Sequence, residues 1–495
     1  MPTVDRETMN RTNVMEENRE NRRITVSLGA DVSEGYVLRY AQMSDTENVD
    51  AAASEHFEFN SIAMGLETPQ QIGERLAAQV IATLDARDEQ PDRIACDLYP
   101  KFPTTYAAEV LADHYQVPML RMQKCHRAIL DAMDRRENVL GICLDDLSYG
   151  SDGTLWGGEI LEISGEGFTR LASIHPYQLI GTNMELHSST PWQTAVSMLY
   201  DLARMAHNED EAIRDFVAKQ EASETVHLLD LCSLNDARAQ YIAQDRNKNT
   251  TRSTAASGLF DAAAAILGFQ RISTPTGRTA MEALTEAAEA FEQQAVSVRN
   301  EDEGAQAVQS TVNAEMSASE EVLAAQCETK GCAEGARESI VLRRKYKSQI
   351  DALYAKLEKL IATAEEMDDP TLEPGDLWED TDDGAFSETS ADDHPDILHT
   401  EQLIRLLADE RIRYLTSLGK RNYDHPLNRK HPDAGSADDN SRLLAWFLLD
   451  ALATITLQYC RSREGSNIVL SGEYLKTGML KNRFEQCPLR SAHHP

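Results

Sequence analysis

The chain has 495 residues, 82 acidic against 48 basic side chains and a formal net charge of −34. That length exceeds one compact core and predicts two to four lobes. The charge argues against general binding to nucleic acid or anionic membrane, both of them polyanions. Lys supplies 13 of the 48 basic residues, and with the acid excess and abundant Ala this composition suits a salt-tolerant host.

The first 22 residues are polar throughout and read as a disordered tail without the apolar core of a signal peptide. No apolar run is read as reaching the ~18 residues of a membrane helix, so a cytoplasmic protein is expected. The cysteines are scattered, and Cys96, Cys143 and Cys232 fall in apolar segments, which suits reduced thiols.

Residues 23–122 form the first predicted lobe. Residues 23–29 and 36–42 read as a hairpin and "SEHFEFN" as a third strand. "TPQQIGERLAAQVIATLDARD" follows as a helix with Thr68 as N-cap. Strand "RIACDL", helix "PTTYAAEVLADHY" and strand "VPMLRM" complete a β-β-β-α-β-α-β order. After a linking helix, "CHRAILDAMDRRE", the pattern restarts in residues 123–300. "NVLGICLDD", "TLWGGEILEIS" and "GFTRLASIH" read as strands and "SGLFDAAAAILGF" as an Ala-rich helix. Residues 301–399 read as an insertion: a protruding helical arm around Leu353, Leu357 and Leu360, then an acidic disordered loop at 368–396. Residues 400–495 close the second lobe with two helices and the strand "SNIVLSGEYL". A three-strand meander with alternating helices and strands, used twice, predicts an α/β fold. The analogy is to two ribonuclease-H-like lobes of the sugar-kinase/actin/Hsp70 superfold, with a helical insertion.

The least ordinary stretch is "GICLDDLSYGSDGTLWGGEILEI", residues 141–163, read as strand, glycine-rich loop, strand. Such loops often hold phosphate through backbone N–H groups. Its "LDDLSYGSDGTLWGGE" resembles the "DGTGYGxDGTxWGGE" segment of the hydrogenase-maturation carbamoyltransferase family, HypF. "IACDLYPKFPTTYAAEVL", "RMQKCHRAILDAM", "STAASGLFDAAAAILGF" and "IVLSGEYL" resemble four further family stretches in the same order. The likeness covers the C-terminal transferase module, related to the threonylcarbamoyl transferases of tRNA modification. It implies ATP or carbamoyl-adenylate with a divalent metal, and carbamoyl transfer to a protein thiol. Implied partners are a hydrogenase-maturation acceptor protein and a separate protein that forms carbamoyl-adenylate.

On this resemblance Asp145 and His126 are the candidate catalytic residues. Asp152, Gly153, Gly157, Gly158, Glu159, Ser471 and Gly472 are the candidate cofactor-binding residues. The family's metal ligands are not retained. Lys124 and Ala128 stand where it has two His at i and i+4, a spacing that puts both on one helix face. "DDLS" (Asp145 to Ser148) replaces "DGTG", so Asp146 adds a carboxylate and Leu147 removes a hydroxyl. Ser33 and Glu34 replace Lys-Asn, and Glu473 and Thr477 replace Gly and Asn. The final "NDGG" has no counterpart; His493 and His494 stand near the end instead. Scaffold residues match (Trp156, Gly157, Gly158, Leu259, Phe260, Asp261, Leu470, Ser471 and Gly472), and those facing metal or phosphate mostly do not. Three functions follow: a HypF-like carbamoyltransferase with an altered site, a non-catalytic paralogue that scaffolds or regulates a maturation partner, and an ATP-sensing subunit. "CETKGC" (Cys327, Cys332) lacks a second Cys pair and is read as no zinc site.

Overall fold

A computed structural model describes residues 22–29, 35–42, 53–57, 67–133, 139–164, 167–180, 191–205, 251–270, 278–302, 346–367, 395–417, 438–461, 463, 467–476 and 478–486. The N-terminal tail, the acidic loop, Ser33, Glu34, Cys232, Cys327, Cys332, Thr477, His493 and His494 lie outside these residues.

The fold is mixed α/β with two sheets. Contacts divide it into two units. The first comprises 1–141, 148–154 and 161–169; the second comprises 142–147, 155–160 and 170–495.

In the first unit β1 (Arg22–Leu28), β2 (Tyr36–Gln42) and β3 (Ala53–Phe57) form an antiparallel meander, and β4 (Arg93–Asp97) and β5 (Met119–Met122) join in parallel. The sheet order is β3-β2-β1-β4-β5. This is the element order read from the sequence. Helix α1 (Pro69–Asp85) starts where Thr68 and Gln71 make a reciprocal capping box and Pro69 enters the first turn. Its Ile72, Leu76, Val80 and Leu84 recur at helical spacing and are buried with the β1 and β4 side chains. Helix α2 (Pro103–Tyr115) also starts with Pro and ends where Gln116 turns left-handed. Helix α3 (Lys124–Ala132) is shorter than the linking helix expected and groups with this unit.

The second sheet follows the path β11-β8-β7-β10-β9, and β6 pairs with both β7 and β12. Its longer strands are β6 (Val139–Tyr149), β7 (Leu155–Ser164) and β8 (Gly167–Ile174). Strands β9 (Tyr177–Gln178), β10 (Arg252–Ser253) and β11 (Asp396–Leu398) are two or three residues long, and β12 spans Asn467–Ser471. The helices are α4 (Pro191–Met205), α5 (Ala256–Leu267), α6 (Ala280–Asp302), α7 (Lys347–Met367), α8 (Glu401–Ser417), α9 (Asp439–Arg461) and α10 (Gly478–Gln486).

Two expectations change. Helix α7 does not protrude: Ile350, Leu353 and Leu357 are buried, the Tyr354 ring meets Phe447, and its hydroxyl donates to Asp450 at 2.7 Å. The apolar stripe that suggested a coiled arm is spent on the unit's own helices. Also, α9 is long and apolar enough to cross a membrane, although the sequence reading found no such run. In the structure 72% of its apolar window is buried, as in a core helix. The described cysteines, Cys96, Cys125, Cys143 and Cys460, are buried and form no disulfide with one another.

Candidate functional site

Three backbone segments of the second unit converge where the sequence placed the phosphate. The first is β6 at Leu144–Asp146. The second is the entry to α5 at Ala255, which has no side-chain cap. The third is the turn after β12, where Gly472 leads into a 3-10 turn, Glu473–Leu475. Glycines permit the approach. A Cβ on Gly157 would lie 2.6 Å from the Asp146 carbonyl, 2.7 Å from that of Asp145 and 2.9 Å from the Ala255 Cα. Gly472 lies against the Leu144 backbone at φ +88°, a conformation that favours glycine. Gly158 meets the Thr254 carbonyl, and Ser471 is buried at the end of β12. Thus Asp145, Gly157, Gly158, Ser471 and Gly472 come together.

Carboxylates dominate that junction. Buried Asp145 accepts the Asp146 backbone N–H through Oδ1 at 2.8 Å. Asp146 is half-buried and Glu473 is exposed. Asp261, only 7% exposed, stands on a helix that is otherwise apolar almost all round. Burial, then the charge of Asp146, holds its carboxyl well above the usual carboxylate range. The Tyr474 ring packs edge-on against Phe260 at 5.0 Å. Burial, then Asp146, Asp261, Glu473 and Asp145 in that order, raises its phenol. Neither Asp146 nor Asp261 has a cationic partner among the described residues. Asp145 and Asp146 bring two adjacent carboxylates to the segment where the resemblance expects a phosphate. Nor do three His, Cys, Asp or Glu side chains gather into a metal site among the described residues.

Glu159 is committed elsewhere. Its fully buried carboxylate pairs with Arg170 Nε at 2.8 Å, accepts the Gly157 N–H at 3.2 Å and receives the Thr254 hydroxyl. Arg170 also lies 4.0 Å from the centre of the Trp156 ring. Asp152, Gly153 and His126 belong to the first unit. Asp152 is exposed, and its Oδ1 accepts both the backbone N–H (2.9 Å) and the hydroxyl (2.7 Å) of Thr154, an Asx turn that shapes the loop. Gly153 supplies the positive φ of that turn. His126 is buried against Phe168, with ring centres 4.6 Å apart. Its Nε2 has no hydrogen-bond partner among the described residues. Burial, then the Arg39 charge, lowers its pKa to about 4.

Sequence reasoning took Asp261 only as a scaffold match. The available signal was a lone carboxylate in the run "LFDAAAA". Arg170, which occupies Glu159, gave no signal, because nothing local pairs residues 11 apart in two strands.

A family model described as "Carbamoyltransferase, Kae1-like Domain, second subdomain" matches residues 141–350. The chain is 36% identical over 124 residues to "Carbamoyltransferase HypF homolog" of Cupriavidus necator, covering 24% of this chain and 31% of that protein. It is 32% identical over 188 residues to "Carbamoyltransferase HypF" of Rhizobium leguminosarum bv. viciae, covering 36% and 23%. The crystal structure of T. kodakarensis HypF superposes with a TM-score of 0.48 at 16% identity, covering 95% of this chain and 44% of that one. The chain thus spans less than a third of the length of these two curated relatives. It carries a HypF-like C-terminal carbamoyltransferase module.

Proposed function

We propose that this chain is a HypF-like module that has left carbamoyl chemistry and acts by binding a protein partner in nickel–iron hydrogenase maturation, as a scaffold or regulator. The framework we assign it is a pair of ribonuclease-H-like lobes, a reading favoured by the β3-β2-β1-β4-β5 order of the first sheet. The observation that carries the functional reading is the Asp146 carboxylate, which stands beside buried Asp145 where the resemblance puts a glycine facing a nucleotide phosphate. Transfer from carbamoyl-adenylate requires preorganised positive charge or donors at the developing oxyanion and the leaving phosphate. Two carboxylates there oppose both. Lys124 and Ala128 in place of the family's paired imidazoles support the same reading.

The test uses the full chain, labelled carbamoyl-adenylate and a maturation acceptor protein ending in cysteine. The expected result is complex formation with the acceptor and no transfer of label to its thiol. Label transfer above the uncatalysed rate, abolished by Asp145→Ala, overturns the proposal and restores the carbamoyltransferase reading. Saturable ATP binding without complex formation overturns it in favour of nucleotide sensing.

A further inference from the structure

Strand β11 is three residues long and is held at both ends. It runs parallel to β8, with Asp396 opposite Ala172 and Leu398 opposite Ile174. At its start the Tyr459 hydroxyl of α9 donates to Asp396 at 2.7 Å, and Arg463 lies 3.6 Å from the same carboxylate. Beyond its end the His175 backbone N–H donates to the Thr400 hydroxyl at 3.0 Å. Glu401, the first residue of α8, is only 4% exposed. Its Oε1 lies 3.2 Å from His399 Nδ1 and accepts Gln402 Nε2 at 3.1 Å. Its Oε2 has no hydrogen-bond partner among the described residues. Glu401 lines a cavity whose other polar walls are His175, Tyr177, Asp201 and Thr400. One buried carboxylate is thus flanked by two imidazoles, one at the end of β8 and one at the end of β11.

The other titratable groups of that cavity are engaged elsewhere. Asp201 on α4 accepts the Gln178 N–H at 3.3 Å and lies 3.7 Å from Arg252 of β10. Tyr177 of β9 donates to the Ala255 carbonyl at 3.3 Å, and burial holds its phenol above the usual range. Helix α5 lines the cavity with Leu259. Imidazole is the side chain that ordinarily changes charge between pH 5 and 8. A buried carboxylate is costly beside neutral imidazoles and becomes an ion pair beside protonated ones. Burial raises the Glu401 carboxyl, but the His175 charge, then the hydrogen bond and charge of His399, hold it below its ordinary 4.5. Glu401 therefore stays ionised while imidazoles take up protons. We propose that the β8–β11–α8 joint is a proton-operated latch, drawn closed on Glu401 when His175 and His399 are protonated. Acid tightens this latch until the carboxylate itself takes a proton. The inference stands apart from the partner-binding reading above and adds a regulatory device to the second unit.

The experiment is amide hydrogen exchange of the full chain, read by mass spectrometry at pH 8 and pH 5.5 and corrected for the intrinsic rate at each pH. Peptides covering β11 and the first turns of α8 are expected to exchange about tenfold more slowly at pH 5.5. A peptide from α1, which belongs to the first unit, is expected to show no such gain. His175→Gln and His399→Gln each shrink the gain. Glu401→Gln keeps the size, meets either form of the imidazoles with a neutral amide, and removes the gain. If Glu401→Gln does not fold, His399→Gln carries the test, because that side chain is 19% exposed and the change disturbs packing least. Equal protection at the two pH values, an equal gain in α1, or a full gain in His399→Gln overturns the inference. The two proposals fail separately, since this measurement involves neither an acceptor protein nor carbamoyl-adenylate.

Discussion

Glu159 and Asp261 are buried carboxylates of one unit, and their surroundings are opposite. Glu159 has a guanidinium, a backbone N–H and a hydroxyl on its two oxygens. Asp261 has apolar neighbours along its own helix and the like charge of Asp146. A folded chain satisfies its buried charges unless something else requires them unsatisfied. The two therefore separate a carboxylate whose charge is met within the fold from one whose burial raises its pKa. By type alone they look alike, and the sequence reading gave Glu159 the binding role and Asp261 the structural one.

The contrast breaks most visibly at Glu159. Glu159→Gln keeps the shape but removes the carboxylate charge from beside Arg170, 9% exposed. Breaking one side of such a pair costs about 3–5 kcal/mol, read as a fall in the denaturant midpoint at unchanged slope. A cost under ~1 kcal/mol would mean that the pair is not structural. Glu159 would then return to the candidate ligands.

His126 extends the comparison to the first unit, where a buried polar group is tolerated because it is neutral. Its pKa falls from 6.5 to about 4 through burial and the Arg39 charge. The unfolded chain therefore binds the proton more tightly than the folded one. This contribution is intact above pH 6.5 and is lost as the pH falls toward 4. The full difference is about 3 kcal/mol. His126→Leu should flatten the stability profile between pH 6.5 and 4. If the slope is unchanged, other groups carry it, and His126 is either already charged in the folded state or exposed.

These cases show what was legible in the sequence. Local chemistry was legible: Thr68, Gln71 and Pro69 announce the start of α1, and alternation announces the β1–β2 hairpin, because caps and pleats are decided within a few residues. The strands β10 and β11 were not. At two and three residues they exist only because distant strands offer them an edge. The heptad-like stripe of α7 was visible, but what it packs on was not, since a stripe does not say which partner it meets. The acidic replacement at Asp146 was legible through the resemblance. Its effect on the Asp261 carboxyl was not legible, because the two residues lie over a hundred positions apart in the chain.

The finest test of the contrast is Asp261→Asn, because it keeps size and removes only charge. Burial and Asp146 raise the Asp261 carboxyl above its ordinary value of 3.8, so the folded protein holds this proton more tightly than the unfolded chain. The stability that the protonated form brings is complete below the ordinary value. It drains away as the pH rises through the folded one. Asp261→Asn, which has no carboxyl to ionise, should therefore gain stability relative to the wild type as the pH rises. That gain should shrink as the pH is lowered toward 4, where the wild-type carboxyl is itself protonated. Denaturant titrations at pH 7 and pH 4 check both sign and trend. If the variant is instead less stable at pH 7, Asp261 is satisfied as fully as Glu159, and the two carboxylates have the same structural role.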